Sequence, residues 1–432
     1  MHTVAFQTLG CKLNQAETAM ITQDFTDHGY QVVSTDAYAD VFVLNTCTVT
    51  GRTDARCRQA IRRVLRSHPN TTIIVAGCFA QVAAEEIARI SGVDYVFGSR
   101  EKFEIFSYFD GPGKQKSPVL HAGSIADLTE PIIHTHGDYR DQTRAFLKIQ
   151  SGCDQRCTYC IVPKARGPSR SVPESELIRQ VGSLIQAGYR EIVLTGVHIG
   201  FYGKEMNGVS RLSDLLEALC LLKGPERLRL SSLDPNDVND SLLDCVARHV
   251  RICRHFHIPL QSGCDTILKA MNREYDTQVY SKRIRMITSR FPQVGLGTDV
   301  IVGFPGETEE LFEQTVQFIQ RMPFTYMHVF PFSVRGGTEA ADMTNQVPRS
   351  EIIKRARRLQ ALALEKKQAF LEQWPGRTVR VLLESRNRGG WMGGLTSEYV
   401  RVEVPFEKPL INQLVNVQIE RVGHGFVRGK VL

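Results

Sequence analysis

Three cysteines fall within eight residues in the run Ser151-Gly152-Cys153-Asp154-Gln155-Arg156-Cys157-Thr158-Tyr159-Cys160, spaced C-x3-C-x2-C. Thiolates at this density can face one point when that point is a metal or a cluster. Four cysteines would close every iron of a four-iron cluster. Three leave one iron open, as catalytic metal sites keep a position free for water or substrate. The alternative is a buried cysteine-rich loop without a cluster, but this density is rare outside disulfide frameworks.

A second set of three is spread over the first segment, to about Phe109. Thr3-Val4-Ala5-Phe6, Val41-Phe42-Val43-Leu44 and Thr72-Ile73-Ile74-Val75-Ala76 are short apolar runs of the kind buried on both faces of a parallel sheet. Helical stretches such as Glu17 to His28 and Arg52 to Ser67 lie between them. Each strand run ends in a small or polar turn followed by a cysteine: Leu9-Gly10-Cys11, Asn45-Thr46-Cys47 and Ala76-Gly77-Cys78. The carboxyl ends of parallel strands share one edge, and ligands bind in the crevice there. Cys11, Cys47 and Cys78 are therefore expected to converge and to hold a second cluster; three buried core cysteines are the alternative. Cys57 sits in a basic helical stretch without such a placement.

The rest of the composition bounds the class. A chain of 432 residues is expected to hold two or three domains. With 42% hydrophobic and 23% charged residues it reads as an ordinary globular protein. No apolar run reaches the roughly 18 residues of a membrane span, and Met1-His2-Thr3-Val4-Ala5-Phe6-Gln7 lacks the features of a secretory signal. A cytoplasmic location is expected. Eleven cysteines in such a chain read as metal-binding or catalytic thiols rather than disulfides. The net charge of +7 is compatible with a polyanionic partner without requiring one. Residues 110–138 have a linker composition, and His134 and His136 read there as solvated side chains.

From Tyr139 to about Gln368, strand runs alternate with helical patterns. The strand candidates are Ala145-Phe146-Leu147-Lys148-Ile149, Glu191 to Leu194, Leu228 to Ser231, His255 to Ile258, Leu296 to Val302 and Tyr326 to Phe330. Six strand-helix units predict a partial (β/α)6 barrel, with polar residues just past the strands where barrels build active sites. The run C-x3-C-x-aromatic-C resembles the signature of radical S-adenosylmethionine (SAM) enzymes. That resemblance implies that Cys153, Cys157 and Cys160 bind a [4Fe-4S] cluster whose open iron is chelated by the methionine end of SAM, and that an electron from the cluster releases a 5′-deoxyadenosyl radical. It also implies SAM contacts at Gly196 (the amino end) and at Ser232, Gln261, Arg273 and Asp299 (sulfonium, carboxylate or ribose), with Tyr159 near the adenine. His198 is placed where a general base could sit.

The last helical stretch, Arg349 to Gln368, carries seven basic residues against Glu351 and Glu365 and reads either as a solvated face or as a phosphate surface. After Trp374-Pro375-Gly376 the period becomes alternating, which predicts a small antiparallel, OB-like β-barrel over 369–432. Its arginines, with Trp391 and Tyr399 available for stacking, suit single-stranded or looped RNA. The segment resembles the TRAM domain.

An amino-terminal three-cysteine domain (1–109), a radical SAM core (139–368) and a TRAM barrel (369–432) together resemble the methylthiotransferases. The resemblance implies two [4Fe-4S] clusters, SAM, tRNA as partner, a flavodoxin- or ferredoxin-like reductant and a sulfur donor, with the Cys11, Cys47 and Cys78 cluster associated with sulfur delivery. Gly10-Cys11-Lys12-Leu13-Asn14-Gln15, Leu194 to Gly200 and His328-Val329-Phe330-Pro331-Phe332-Ser333 resemble the branch acting on N6-threonylcarbamoyladenosine at position 37 of tRNA. The isopentenyladenosine branch and a non-catalytic iron-sulfur RNA-binding protein are the alternatives. Lys164 and Cys264 depart from the family pattern, which commonly has tyrosine and serine there.

Overall fold

The computed structural model describes residues 1–48, 51–133, 137, 143–207 and 211–432, without the side chains of 51, 52 and 207. The expectations for His134, His136 and the 138/139 boundary lie outside the described residues.

The amino-terminal sheet has six parallel strands: β1 (Thr3–Thr8), β2 (Gln31–Val33), β3 (Val41–Thr46), β4 (Thr72–Gly77), β5 (Tyr95–Phe97) and β6 (Val119–His121), in the order β2-β1-β3-β4-β5-β6. Every position of β3 and β4 is buried, because helices cover both faces and leave no solvated side. One face packs Phe42, Leu44, Ile61 and Ile73, the other Ile21, Phe25, Val43 and Phe97. β6 lies inside the stretch expected to be linker. Its backbone pairs with β5 because an unpaired parallel edge would leave its donors and acceptors open.

The central wall begins with β7 (Arg144–Lys148), followed by a two-residue ladder between β8 (Gln150–Ser151) and β9 (Arg170–Ser171). Strands β10 (Glu191–Thr195), β11 (Arg227–Leu230), β12 (His255–His257), β13 (Gly295–Val302) and β14 (Tyr326–Pro331) complete it. The parallel sets β11-β10-β7 and β12-β13-β14 join through bridges at Leu228/Ile252 and Ser232/His257. Six strands do not close a barrel, so β7 and β14 face a side opening. Helix Lys12–Asp27 packs on β7, and its Ala16 and Ala19 enter the barrel core, where larger side chains would hold the two domains apart. Helix Arg349–Leu371 packs on β14. Three of its basic residues are engaged within the protein: Arg355 is buried on Glu307, Arg358 pairs with Glu313, and Lys366 donates to the Gln320 and Met322 carbonyls, while Arg349, Lys354 and Arg357 are exposed.

The carboxyl-terminal domain is a closed barrel of β15 (Thr378–Arg388), β16 (Trp391–Leu395), β17 (Arg401–Pro405), β18 (Leu414–Val422) and β19 (Val427–Val431), in the order β15-β16-β17-β19-β18. The expected antiparallel pairing holds at four contacts, but β17 and β19 close the barrel in parallel. Tyr399 is not an outward stacking surface. At φ +68° it turns inward, its ring stacked 4.5 Å from His255 and 5.2 Å from the Arg229 guanidinium. Trp391 is covered by Arg428 at 4.2 Å.

Candidate functional site

Cys11, Cys47 and Cys78 follow β1, β3 and β4, which are neighbours in the sheet, so the three residues sit at consecutive carboxyl edges. Gly10, at φ +112°, lies against Cys47 so closely that a Cβ there would meet the Cys47 Cβ at 2.4 Å and its Sγ at 2.9 Å. No other residue type fits this approach. Cys47 and Cys78 are buried and Cys11 is open to solvent. Asn14 ties the turn together: its amide donates to the Leu9 and Thr46 carbonyls at 2.9 and 2.8 Å, with its Oδ1 3.7 Å from the Cys11 sulfur.

The other trio is held on a loop fastened at several points. The Cys153 N–H donates to Gly167 O at 3.1 Å, Thr158 donates to Met271 O and Ala270 O, and the Cys160 N–H to Cys157 O at 3.0 Å. Gly152 is at φ +75°, where a Cβ would lie 1.7 Å from Pro168 O. Burial pushes the Cys157 thiol up and Cys160 up to about 12. Bare thiols here keep their protons, so binding a cationic iron cluster must release them. Around the sulfurs stand donors and positive charge. Arg273 donates to the Cys157 Sγ at 3.0 Å and pairs with Asp234. His198 pairs with Asp237 at 2.6 Å and hydrogen-bonds Cys153; burial alone would lower its pKa, but Asp237 and Cys153 outweigh it and raise it to about 9, leaving an imidazolium at neutral pH. Hydrogen bonds and charge beside thiolates tune iron-sulfur sites.

Among the described residues, the donor groups drawn within 4.8 Å of one another are Glu217–Cys245–His249 and His257–Asp299–His328, and neither cysteine trio is drawn together so tightly. The wider, all-sulfur sets with backbone room made by glycines fit a polynuclear iron-sulfur cluster.

Of the expected SAM contacts, Tyr159, Gln261 and Asp299 line one cleft with Cys160, Ile301 and Phe330, of about 190 Å³. Gly196, Ser232 and Arg273 do not line it. Gly196 packs against Gln150, whose Oε1 accepts from the Val197 and His198 amides at 3.0 and 2.9 Å. Ser232 bridges to His257, and Arg273 is engaged by Cys157 and Asp234. Asp299 accepts from His257 and His328, each at 3.0 Å. Burial would raise its carboxyl, but the two imidazoles outweigh that and hold it well below the usual range.

A residue pair that no local pattern marks connects the two trios. Arg166, on the short helix Val162–Arg166 that follows Cys160, is buried and donates to both Glu17 oxygens at 2.6 and 2.8 Å and to Asn14 at 2.7 Å. Cys11 and Cys78 both lie in its electrostatic reach. Lys102 reaches Glu17 at 2.6 Å. Arg335, in the segment after β14, closes the same seam, gripping Asp54 at 2.7 and 3.0 Å and the Thr48 carbonyl at 2.8 Å, next to Cys47. The two departures are accommodated away from the sulfurs: Lys164 donates to Gly337 O, and buried Cys264 faces Gln314 Oε1 at 3.2 Å. Cys57, Cys245 and Cys253 are buried in packing positions.

Known family models match the chain in three successive parts. Residues 3–98 match the model described as uncharacterized protein family UPF0004, 147–319 the radical SAM superfamily and 372–432 the TRAM domain. The chain is 38% identical to the threonylcarbamoyladenosine tRNA methylthiotransferase MtaB of Bacillus subtilis (strain 168), covering 100% of this chain and 96% of that one. It is 37% identical to the protein of the same name from Aquifex aeolicus (strain VF5), covering 96% and 100%. A tRNA-2-methylthio-N(6)-dimethylallyladenosine synthase from Methylacidiphilum infernorum (isolate V4) is 31% identical over 99% of the chain and 94% of its own length. The radical S-adenosylmethionine methyltransferase TsrM from Kitasatospora setae shares the fold, with a TM-score of 0.57 at 14% identity over 91% of this chain and 80% of that one. With full-length identity well above the level at which family membership is in question, and with all three domains matched in order, the chain belongs to the radical SAM methylthiotransferase family, in the MtaB branch.

Proposed function

We propose that this chain transfers a methylthio group to C2 of N6-threonylcarbamoyladenosine at position 37 of tRNA. The observation that carries the reading is the pair of cysteine trios on facing domain edges, bridged by Arg166 on Glu17 and Asn14. Cys153, Cys157 and Cys160 would hold the radical [4Fe-4S] cluster with SAM beside Tyr159, Gln261 and Asp299; Cys11, Cys47 and Cys78 would hold the second. When bound, these groups supply one-electron chemistry and sulfur for a C–H bond that offers neither an acidic proton nor a leaving group.

The chain's own residues supply position and charge. Arg273 and the His198 imidazolium set positive charge and N–H donors against the cysteine sulfurs. Arg166 and Arg335 lock the two domains so that the substrate carbon and the sulfur source are held at a fixed separation, which makes the transfer effectively unimolecular. The side opening between β7 and β14 gives the base its approach.

The domain limits 1–109, 139–368 and 369–432, a cytoplasmic setting, a flavodoxin- or ferredoxin-like reductant and a separate sulfur donor belong to the same reading. No helix among the described residues is long and apolar enough to cross a membrane. Mass spectrometry of tRNA nucleosides from a strain lacking the gene tests the reading. Loss of the methylthio group from threonylcarbamoyladenosine supports it, loss from isopentenyladenosine points to the sibling reaction, and no change in either refutes both.

A further inference from the structure

Lys12 follows Cys11 directly, and its ammonium points at the Tyr399 ring, 5.6 Å from the centroid. Among the described residues it has no hydrogen bond or ion pair. The carboxylates nearby are already engaged. Glu191 is held by Arg229 at 2.7 Å and by Arg227 at 3.5 Å. Glu384 is shared between Arg144 at 3.7 Å and Arg401 at 3.6 Å. Arg144 also hydrogen-bonds Tyr399, and the Arg229 guanidinium lies 5.2 Å from its ring. Fully buried His255 carries an Nδ1 without a partner and is kept neutral by burial and by Arg229, Lys12 and Arg144. This end of the barrel interior therefore holds more positive charge than its own carboxylates balance. Beside it, at Tyr399, lies a cleft of about 550 Å³ whose charged lining is Arg144, Lys367 and Arg401 with Glu384 and Glu398.

An unbalanced, partly desolvated ammonium is costly in the empty protein, and an anionic ligand relieves that cost. We propose that Lys12, supported by Arg144, is the subsite for the carboxylate of the substrate's threonylcarbamoyl side chain; this rests on the substrate reading above. The placement follows from the purine itself. C2 and C6, the carbon that carries N6, flank the same ring nitrogen, so a base delivered with C2 toward Cys11 carries its N6 substituent along the same edge, where a side chain beside Cys11 can meet it. An isopentenyl group there would bury hydrocarbon against an unpaired cation, so the same side chain that attracts one substrate repels the other.

The test uses anticodon stem-loop RNAs that differ only at the target adenosine: threonylcarbamoyl, its carboxamide analogue, isopentenyl and unmodified. Binding to the reconstituted enzyme is followed by fluorescence anisotropy. The wild type is expected to bind the threonylcarbamoyl RNA about tenfold tighter than the carboxamide or unmodified RNA, the scale of one charge-assisted hydrogen bond. Lys12→Gln should abolish that preference while leaving affinity for unmodified RNA within about twofold, and Lys12→Arg should keep most of it. The carboxamide arm uses only wild-type protein and so does not depend on the variant folding. A wild type that prefers the threonylcarbamoyl RNA and a Lys12→Gln variant that keeps this preference overturn the subsite alone. Equal weakening toward every RNA assigns Lys12 to a backbone phosphate and overturns it as well. A wild type that prefers the isopentenyl RNA overturns the substrate reading itself.

Discussion

The Arg166 guanidinium grips the Glu17 carboxylate from two nitrogens, at 2.6 and 2.8 Å, across 149 residues of chain. Arg166 lies six residues beyond Cys160 and Glu17 six beyond Cys11, so the pair ties the chain beside one trio to the chain beside the other. Lys102 is fully buried on the same carboxylate. Lys148 is pushed down to about 8 by burial, in spite of Glu17.

Glu17→Gln removes a negative charge that Arg166, Lys102 and Lys148 share. Breaking a buried pair leaves an uncompensated charge, which costs about 3–5 kcal/mol. Thermal unfolding should show a fall in midpoint of several degrees, and iron bound at Cys11, Cys47 and Cys78 should become labile to chelators. A midpoint unchanged from the wild type would mean that the seam is held elsewhere.

Acid should weaken the barrel through Glu191. Burial alone would raise this carboxyl, but Arg229 outweighs it and holds the folded value at about 2, below the ordinary 4.5. A group lowered in the folded state contributes stability that is complete above the unfolded value and is lost as pH falls through the folded one. The loss should therefore run between about pH 4.5 and pH 2. The melting midpoint of the wild type should fall as pH drops through that window, and that of Glu191→Gln, already less stable at neutral pH, should depend less on pH there.

Iron content distinguishes one cluster from two. Anaerobically reconstituted protein should carry about eight irons, and the triple change of Cys11, Cys47 and Cys78 to alanine about four, with two four-iron clusters as the basis. Loss of all iron in the triple variant would show that the sites do not load independently.

Arg273→Lys keeps the charge but not the fork that meets Cys157 and Asp234 together. Changes beside metal ligands commonly cost about 10–100-fold in activity or metal affinity. The expected result is slower reductive cleavage of SAM at full iron occupancy, with a shifted cluster potential. A purely structural role would instead lower the iron content.

What could be read from the sequence follows local physics. β1, β3 and β4 are buried on both faces, so their apolar runs are unbroken, and each ends in a turn that hands the chain to Cys11, Cys47 or Cys78. The six-strand wall shows itself in the same way. β2, with Gln31 and Val32 exposed, and β6, inside a Gly- and Pro-rich stretch, carry almost no pattern because the sheet edge, not their side chains, fixes them. β16 is interrupted by Gly393 and Gly394, which pack where a Cβ would strike Arg401 and the Leu382 carbonyl, and so it gives no strand signal. Arg166–Glu17 and His198–Asp237 join positions far apart, and neither has a spacing to betray it. Tyr399 among arginines reads as an RNA-stacking residue, and only the loop's inward turn reassigns it.

That inward turn changes what the last domain is. Arg227 donates to the Leu395 and Arg380 carbonyls at 2.7 and 2.6 Å, and Arg229, without exposed surface, to the Ser397 and Thr396 carbonyls at 2.9 Å each. The carboxyl-terminal barrel thus supplies the floor of the radical barrel in main-chain atoms. A chain cut near residue 372 would lose more than a nucleic-acid handle: two guanidiniums sealed in the catalytic domain would face open solvent without their acceptors. The boundary that evolution could shuffle as a module is, in this molecule, an internal wall.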